Sequence, residues 1–84
     1  MSAEQAIRKA VEVRLNAMGL ETNMADNDMD LLQSGIFDSM SFIDMLTSVE
    51  DELGVRLDLE NALADPKTFT ISGLTDLFNN ASHG

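Results

Sequence analysis

Apolar residues in this chain recur mainly at steps of three and four, so the chain is expected to build helices and no sheet. At about 100° per residue, Phe42, Met45, Leu46, Val49 and Leu53 fall within one sector roughly 100° wide. That spacing predicts a helix from about Ser39 to Leu53, ended by Gly54. Ile7, Val11, Leu15 and Met18 define a second apolar face in a helix from Ser2 to Met18, with Ser2 placed to cap its start and Gly19 to close its end. Asp58 is the expected cap of a brief turn over Leu59 to Ala64, stopped by Pro66. Thr70 or Ser72 caps a last helix from Ile71 to about Asn80, with Ile71, Leu74, Leu77 and Phe78 inward. The expected fold is all-α: a small helical bundle of three main helices plus one short helix, with a long loop between the first and second helices. The 84 residues allow a single domain, 1–84, with about 81–84 as a frayed tail.

Between Gly19 and Phe37 no period is sustained. A connection this long in a small domain is usually functional. It is studded with apolar residues (Leu20, Met24, Met29, Leu31, Leu32, Ile36, Phe37), so it is expected to be pinned to the core, with one helical turn near Asp30–Gln33 ending at Gly35. Asp26-Asn27-Asp28-Met29-Asp30 imitates the opening of a calcium loop. However, the sixth and twelfth positions hold Leu31 and Phe37 where such a loop needs Gly and Glu, so no dedicated metal site is expected.

Charge narrows the function classes. Fifteen Asp and Glu against five Lys and Arg give a net charge of −10. Phosphate backbones and anionic membranes need a positive footprint, so neither nucleic acid nor membrane is an expected partner. Seven acids (Asp38, Asp44, Glu50, Asp51, Glu52, Asp58, Glu60) and one base, Arg56, lie between Asp38 and Glu60. The chain has no cysteine and only one histidine, His83 beside the C-terminus, which leaves no material for a thiolate centre, a cysteine nucleophile or a well-held Ser-His-Asp triad. No apolar leader opens the chain, so the cytoplasm is the expected compartment and a monomer the expected state.

The informative triplet is Asp38-Ser39-Met40. An acid or serine before an apolar run is an ordinary helix start. Here it follows a long loop ending in Gly35-Ile36-Phe37 and opens a helix whose outer face carries Met40, Asp44, Thr47, Ser48 and Asp51.

With these residues the chain resembles the phosphopantetheine-dependent carrier proteins, whether acyl, peptidyl or aminoacyl carriers. Asp38-Ser39-Met40 after Gly35 is similar to the family's Asp-Ser-Leu signature, with Met in place of the usual Leu. Glu52-Leu53-Gly54-Val55, Phe69-Thr70-Ile71-Ser72-Gly73-Leu74 and the order of helices extend the resemblance over nearly the whole chain. The resemblance implies that Ser39 receives 4′-phosphopantetheine from coenzyme A by a separate phosphopantetheinyl transferase. It also implies a substrate shuttle, not an enzyme, which holds an acyl or aminoacyl thioester for an activating ligase and a downstream transferase. Asp38 is expected to cap the helix and present the serine. Met40, Ile43 and Thr47 are expected to offer apolar contact to partners, and Asp44, Glu50 and Asp51 charge. The wording Phe37-Asp38-Ser39-Met40 looks more like the D-alanyl and aminoacyl carriers, and the stretch Asp58–Leu63 departs from the acid-rich pattern of fatty-acid carriers. Two other readings stay open at this point: a small acidic helical adapter with no prosthetic group, and a divalent-ion sensor using Asp26, Asp28 and Asp30.

Overall fold

The computed structural model describes residues 2–83, and the backbone alone of Met24, Ser82 and His83. Helix α1 spans Ala3–Ala17, α2 Ser39–Leu53, α3 Leu59–Ala64 and α4 Ile71–His83. Single 3₁₀ turns at Thr22–Met24 and Pro66–Phe69 were not expected from the spacing of apolar residues. Among the described residues there is no strand.

Each main helix begins where its sequence satisfies the orphan N–H groups. The Ser2 hydroxyl accepts the Gln5 N–H at 3.2 Å while the Ser2 N–H donates to Gln5 Oε1 at 3.1 Å. This reciprocal box meets two backbone donors that would otherwise need water. For α4 the cap is Thr70, whose Oγ1 accepts the Gly73 N–H at 2.9 Å, and not Ser72. Asp58 caps α3 through the Asn61 N–H at 3.3 Å. No Gly or Pro lies between Asn80 and His83, and the α4 backbone continues past Asn80 to His83.

The apolar faces read from the sequence meet in one core. Ile7, Val11 and Leu15 from α1, Phe42, Leu46 and Val49 from α2, and Ile71, Leu74 and Phe78 from α4 are all buried. Each such side chain gains roughly 1.5–3 kcal/mol on leaving water. Met18 and Leu20 do not join them: both are exposed. The reason is the helix end. The Gly19 N–H bonds to the Asn16 carbonyl at 3.1 Å and the Leu20 N–H to the Leu15 carbonyl at 2.9 Å, so the chain leaves the helix after Met18, which keeps helical backbone angles but lies past Leu15, the last buried residue of α1.

The connection from residue 18 to residue 38 is held by α1 at two points. Arg8 donates to the Ala25 carbonyl at 3.1 Å and to the Asn27 side-chain oxygen. Arg14 Nε donates to the Ile36 carbonyl at 2.8 Å. Two backbone bonds join it to the far side of the molecule, from the Leu31 N–H to the Phe69 carbonyl at 2.7 Å and from the Ser72 N–H to the Asn27 carbonyl at 3.0 Å. Leu31, Ile36 and Phe37 are buried as expected.

The start of α4 lies directly on the Pro66–Phe69 turn. A Cβ at position 73 would stand 1.6 Å from the Lys67 carbonyl oxygen, so only glycine permits this approach.

Candidate functional site

The start of α2 is positioned from the loop side. Asp30 Oδ1 accepts the N–H groups of Leu32 and Gln33 at 2.9 and 2.8 Å, which folds the expected helical turn. In this loop Asp26 Oδ1 accepts the Asp28 N–H at 2.9 Å, so two of the three acids of the calcium-like stretch serve as local caps. The turn ends at Gly35, whose φ of +84° lies in the left-handed region. The chain then reverses, and the Phe37 N–H reaches the Leu31 carbonyl at 3.0 Å. Phe37 goes inward and meets Phe42 edge to face, with centroids 6.1 Å apart, and Phe42 meets Phe69 at 5.6 Å. The Arg14 guanidinium lies over the outer face of Phe37, 5.7 Å from its centroid. Ile36 and Phe37 are thus clamped between α1 and the core, and Asp38 is delivered to the mouth of α2.

Asp38 is the N-cap. Its Oδ1 accepts both the Ser41 N–H and the Ser41 hydroxyl at 2.8 Å, and its own N–H donates to Ser41 Oγ at 3.0 Å. The bond from the Ser41 backbone, then that from the Ser41 hydroxyl, holds the Asp38 carboxyl below the ordinary aspartate range, and the nearby Arg14 charge acts in the same direction. Asp38 as cap was readable from the sequence. Ser41 as its reciprocal partner was missed, although the three-residue spacing is that of a capping box.

Ser39 is the first residue of α2, exposed, and its hydroxyl has no hydrogen-bond partner among the described residues. Beyond the cap, the first turn carries no acid. The positive end of the helix dipole therefore favours an anion attached at this hydroxyl. Ser41 lacks that freedom, since its hydroxyl is held by the Asp38 carboxylate. Met40 beside the site is 76 % exposed.

Other residues expected at the site separate. Ile43 is half-buried and Thr47 exposed on the Ser39 side of α2, where Thr47 Oγ1 donates back to the Ile43 carbonyl at 3.0 Å. Glu50 is half-buried, and its Oε2 accepts the Leu57 N–H at 2.7 Å, so its carboxylate is engaged in holding the turn after α2. Asp44 and Asp51 are exposed and line the other flank, a groove shared with α1. Arg14 was not singled out from sequence. Its signal was the absence of any acid three or four residues away on α1, which frees a base for a tertiary bond.

The helical bundle thus presents an unbonded serine at a capped helix start, beside an exposed apolar side chain. A family model described as a phosphopantetheine attachment site matches residues 5–78. The chain belongs to that family: it is a carrier protein with a covalently attached 4′-phosphopantetheine arm, and carriers of this kind act with phosphopantetheinyl transferases, ligases and transferases. No curated protein and no solved structure matches the chain. Among the described residues, no helix is long and apolar enough to cross a membrane.

Proposed function

We propose that Ser39 takes the arm and that the arm presents an acyl or aminoacyl thioester to partner enzymes, with an aminoacyl, D-alanyl-like cargo as the narrower reading. The observation that carries the assignment is the exposed, unbonded Ser39 hydroxyl at the first position of α2, two residues from a serine whose hydroxyl is consumed by the cap. Attachment makes one bond, from Ser39 Oγ to phosphorus, and breaks the pyrophosphate link of coenzyme A, with adenosine 3′,5′-bisphosphate as the leaving group. The serine proton leaves to the transferase. Asp38 positions Ser39 by fixing the helix start, and the positive end of the α2 dipole would favour the charge that the arm brings. When bound, the group supplies the thiol that holds the cargo, which the cysteine-free chain cannot supply. Activation, loading and unloading are left to an activating ligase and a downstream transferase. A free thiol persists in a reducing compartment, so we place the exchange in the cytoplasm.

The aminoacyl reading is supported by the wording Phe37-Asp38-Ser39-Met40 and by the interior beneath it. Phe37, Phe42 and Phe69 pack edge to face there. A short polar cargo has no need to displace those rings, whereas a long acyl chain folded inward would.

The test is intact mass after incubation with coenzyme A and a broad-specificity phosphopantetheinyl transferase, followed by peptide mapping. One arm per chain on Ser39 is expected, with none on Ser39→Ala. An arm on Ser34 or Ser41 overturns the assignment. For the cargo, the arm is loaded with octanoyl or D-alanyl groups. Equal melting temperatures are expected, and a clear rise with octanoyl would show a chain taken into the core and sink the narrower reading.

A further inference from the structure

On the reading that Ser39 takes the arm, we propose that Met40 is a modification site: a peroxide converts its thioether to the sulfoxide, and the sulfoxide slows arm attachment at the neighbouring serine. The unmodified chain has six methionines and no cysteine. With no thiolate to react first, the thioethers are the soft sulfur nucleophiles left for a two-electron oxidant. Exposure ranks those whose side chains the structure describes. Met40 is 76 % exposed, Met18 43 %, and Met45 6 %, while Met29 is half-buried. Met40 is the second residue of α2, outside the core that Phe42 and Leu46 enter. An oxygen added there disturbs neither the packed face nor the Asp38–Ser41 box. The same oxygen on Met45 would put a polar group into the core.

The sulfur lone pair takes the terminal oxygen of hydrogen peroxide. An S–O bond forms, the O–O bond breaks, and the proton of the transferred oxygen leaves with the departing hydroxide as water. The thioether is oxidised by two electrons and the peroxide reduced by two. A flexible apolar side chain thereby becomes a polar one with a chiral sulfur. Drying that oxygen against an apolar partner surface is unfavourable unless the partner donates a hydrogen bond to it. The Ser39 flank has little to compensate. Ile43 is half-buried and the Thr47 hydroxyl is bonded to the Ile43 carbonyl, which leaves Met40 as the most exposed large apolar side chain among the described residues. A sulfoxide reductase, fed by a dithiol that ends as a disulfide, returns the thioether and releases the oxygen as water, so the block is reversible.

Unmodified protein is treated with hydrogen peroxide, catalase removes the excess, and peptide mapping locates the added oxygen before coenzyme A and the transferase are introduced. Met40 should be oxidised ahead of Met18, Met29 and Met45, with circular dichroism and melting temperature unchanged. Protein oxidised at Met40 should take the arm about fivefold more slowly. Sulfoxide reductase with dithiothreitol should restore the rate. Each variant is compared with its own untreated rate: Met40→Leu should lose none of it to peroxide, and Met18→Leu should lose as much as the parent does. Oxidation that reaches Met18 or Met45 first, a Met40→Leu protein that still loses its rate, or a loss that appears only where the melting temperature also falls overturns the proposal. If the untreated parent takes the arm and the Met40-oxidised protein takes it equally fast, the switch alone is overturned. If the untreated parent takes no arm on Ser39, the carrier reading falls and the switch with it.

Discussion

Helix α2 has two flanks of unlike chemistry. On one, Ser39 and the 76 % exposed Met40 lead to half-buried Ile43 and exposed Thr47, with no acid free to meet a partner because Glu50 is bonded to the Leu57 N–H. On the other, Asp44, Ser48 and Asp51 face α1 across the groove that holds Val13. A helical wheel merges the two, because it records only the direction opposite the core. The neighbours on each side separate them: the Ser39 flank offers apolar contact, which favours affinity, and the α1 flank offers uncompensated charge, which favours steering and orientation. The difference argues that the enzyme attaching the arm reads mainly the first flank.

The sharpest way to break that comparison is at its origin. Ser39→Ala removes the only unbonded hydroxyl at the start of α2, leaves the Asp38–Ser41 box intact, and should abolish arm uptake while folding as the parent does. Next comes Met40→Asp. It removes apolar contact and sets an acid in the first turn beside the new phosphodiester, so attachment should fall more than tenfold. The fall should persist in 0.5 M salt, where about 4 Å of Debye length remains to screen exposed charges. A Met40→Asp protein that loads at the parent rate would mean the transferase reads the other flank.

Two variants test the support shared by both flanks. Arg14 ties α1 to the Ile36 carbonyl and covers Phe37. Arg14→Met should cost about 1.5–3 kcal/mol in denaturant unfolding, the range for a hydrogen bond from a charged donor. Asp38→Ala should lower the melting temperature by roughly 4 °C through loss of the cap. Its effect has a pH signature. The folded-state pKa of Asp38 is depressed by the Ser41 bonds, so its contribution is present above the unfolded pKa and lost as pH falls through the folded one. The gap between parent and Asp38→Ala should therefore hold at neutral pH and close at the acid end, below the ordinary aspartate range. A gap that widens on acidification would mean the carboxylate is not the capping species.

The sequence displays what is local. The apolar stripe of α2, the cap at Asp38, the Asp30 turn and the stops at Gly54 and Pro66 each depend on residues within four positions of one another, and each is found where spacing puts it. What it hides is tertiary. Arg8 and Arg14 reach across 17 to 22 residues to hold the long connection, and no pattern in either segment announces the partner carbonyl. Glu50 looks like one more surface acid, yet its carboxylate closes the turn seven residues on. Met18 keeps the helical period and backbone angles of α1, yet as the C-cap it lies past the last buried turn and stays exposed, so the period outlasts the core. The triplet Asp38-Ser39-Met40 stands out in the sequence because its pattern is local. The division of α2 into two flanks does not, because it depends on where α1 lies.

The smallest expected effect is also the most discriminating. Asp44→Lys/Asp51→Lys changes the net charge from −10 by +4, and both positions are exposed without an ion-pair partner among the described residues, so folding stability should move by less than about 1 kcal/mol. A basic transferase would still feel the weaker long-range field, which acts on encounter. Arm attachment should therefore slow only a few-fold at low salt and converge with the parent at 0.5 M. The measurement is a kinetic titration of both proteins against the transferase at the two ionic strengths. If attachment instead falls as far as for Met40→Asp and stays low in high salt, then Asp44 and Asp51 make direct contacts to the transferase. The two flanks would then be a single docking face wrapped around α2.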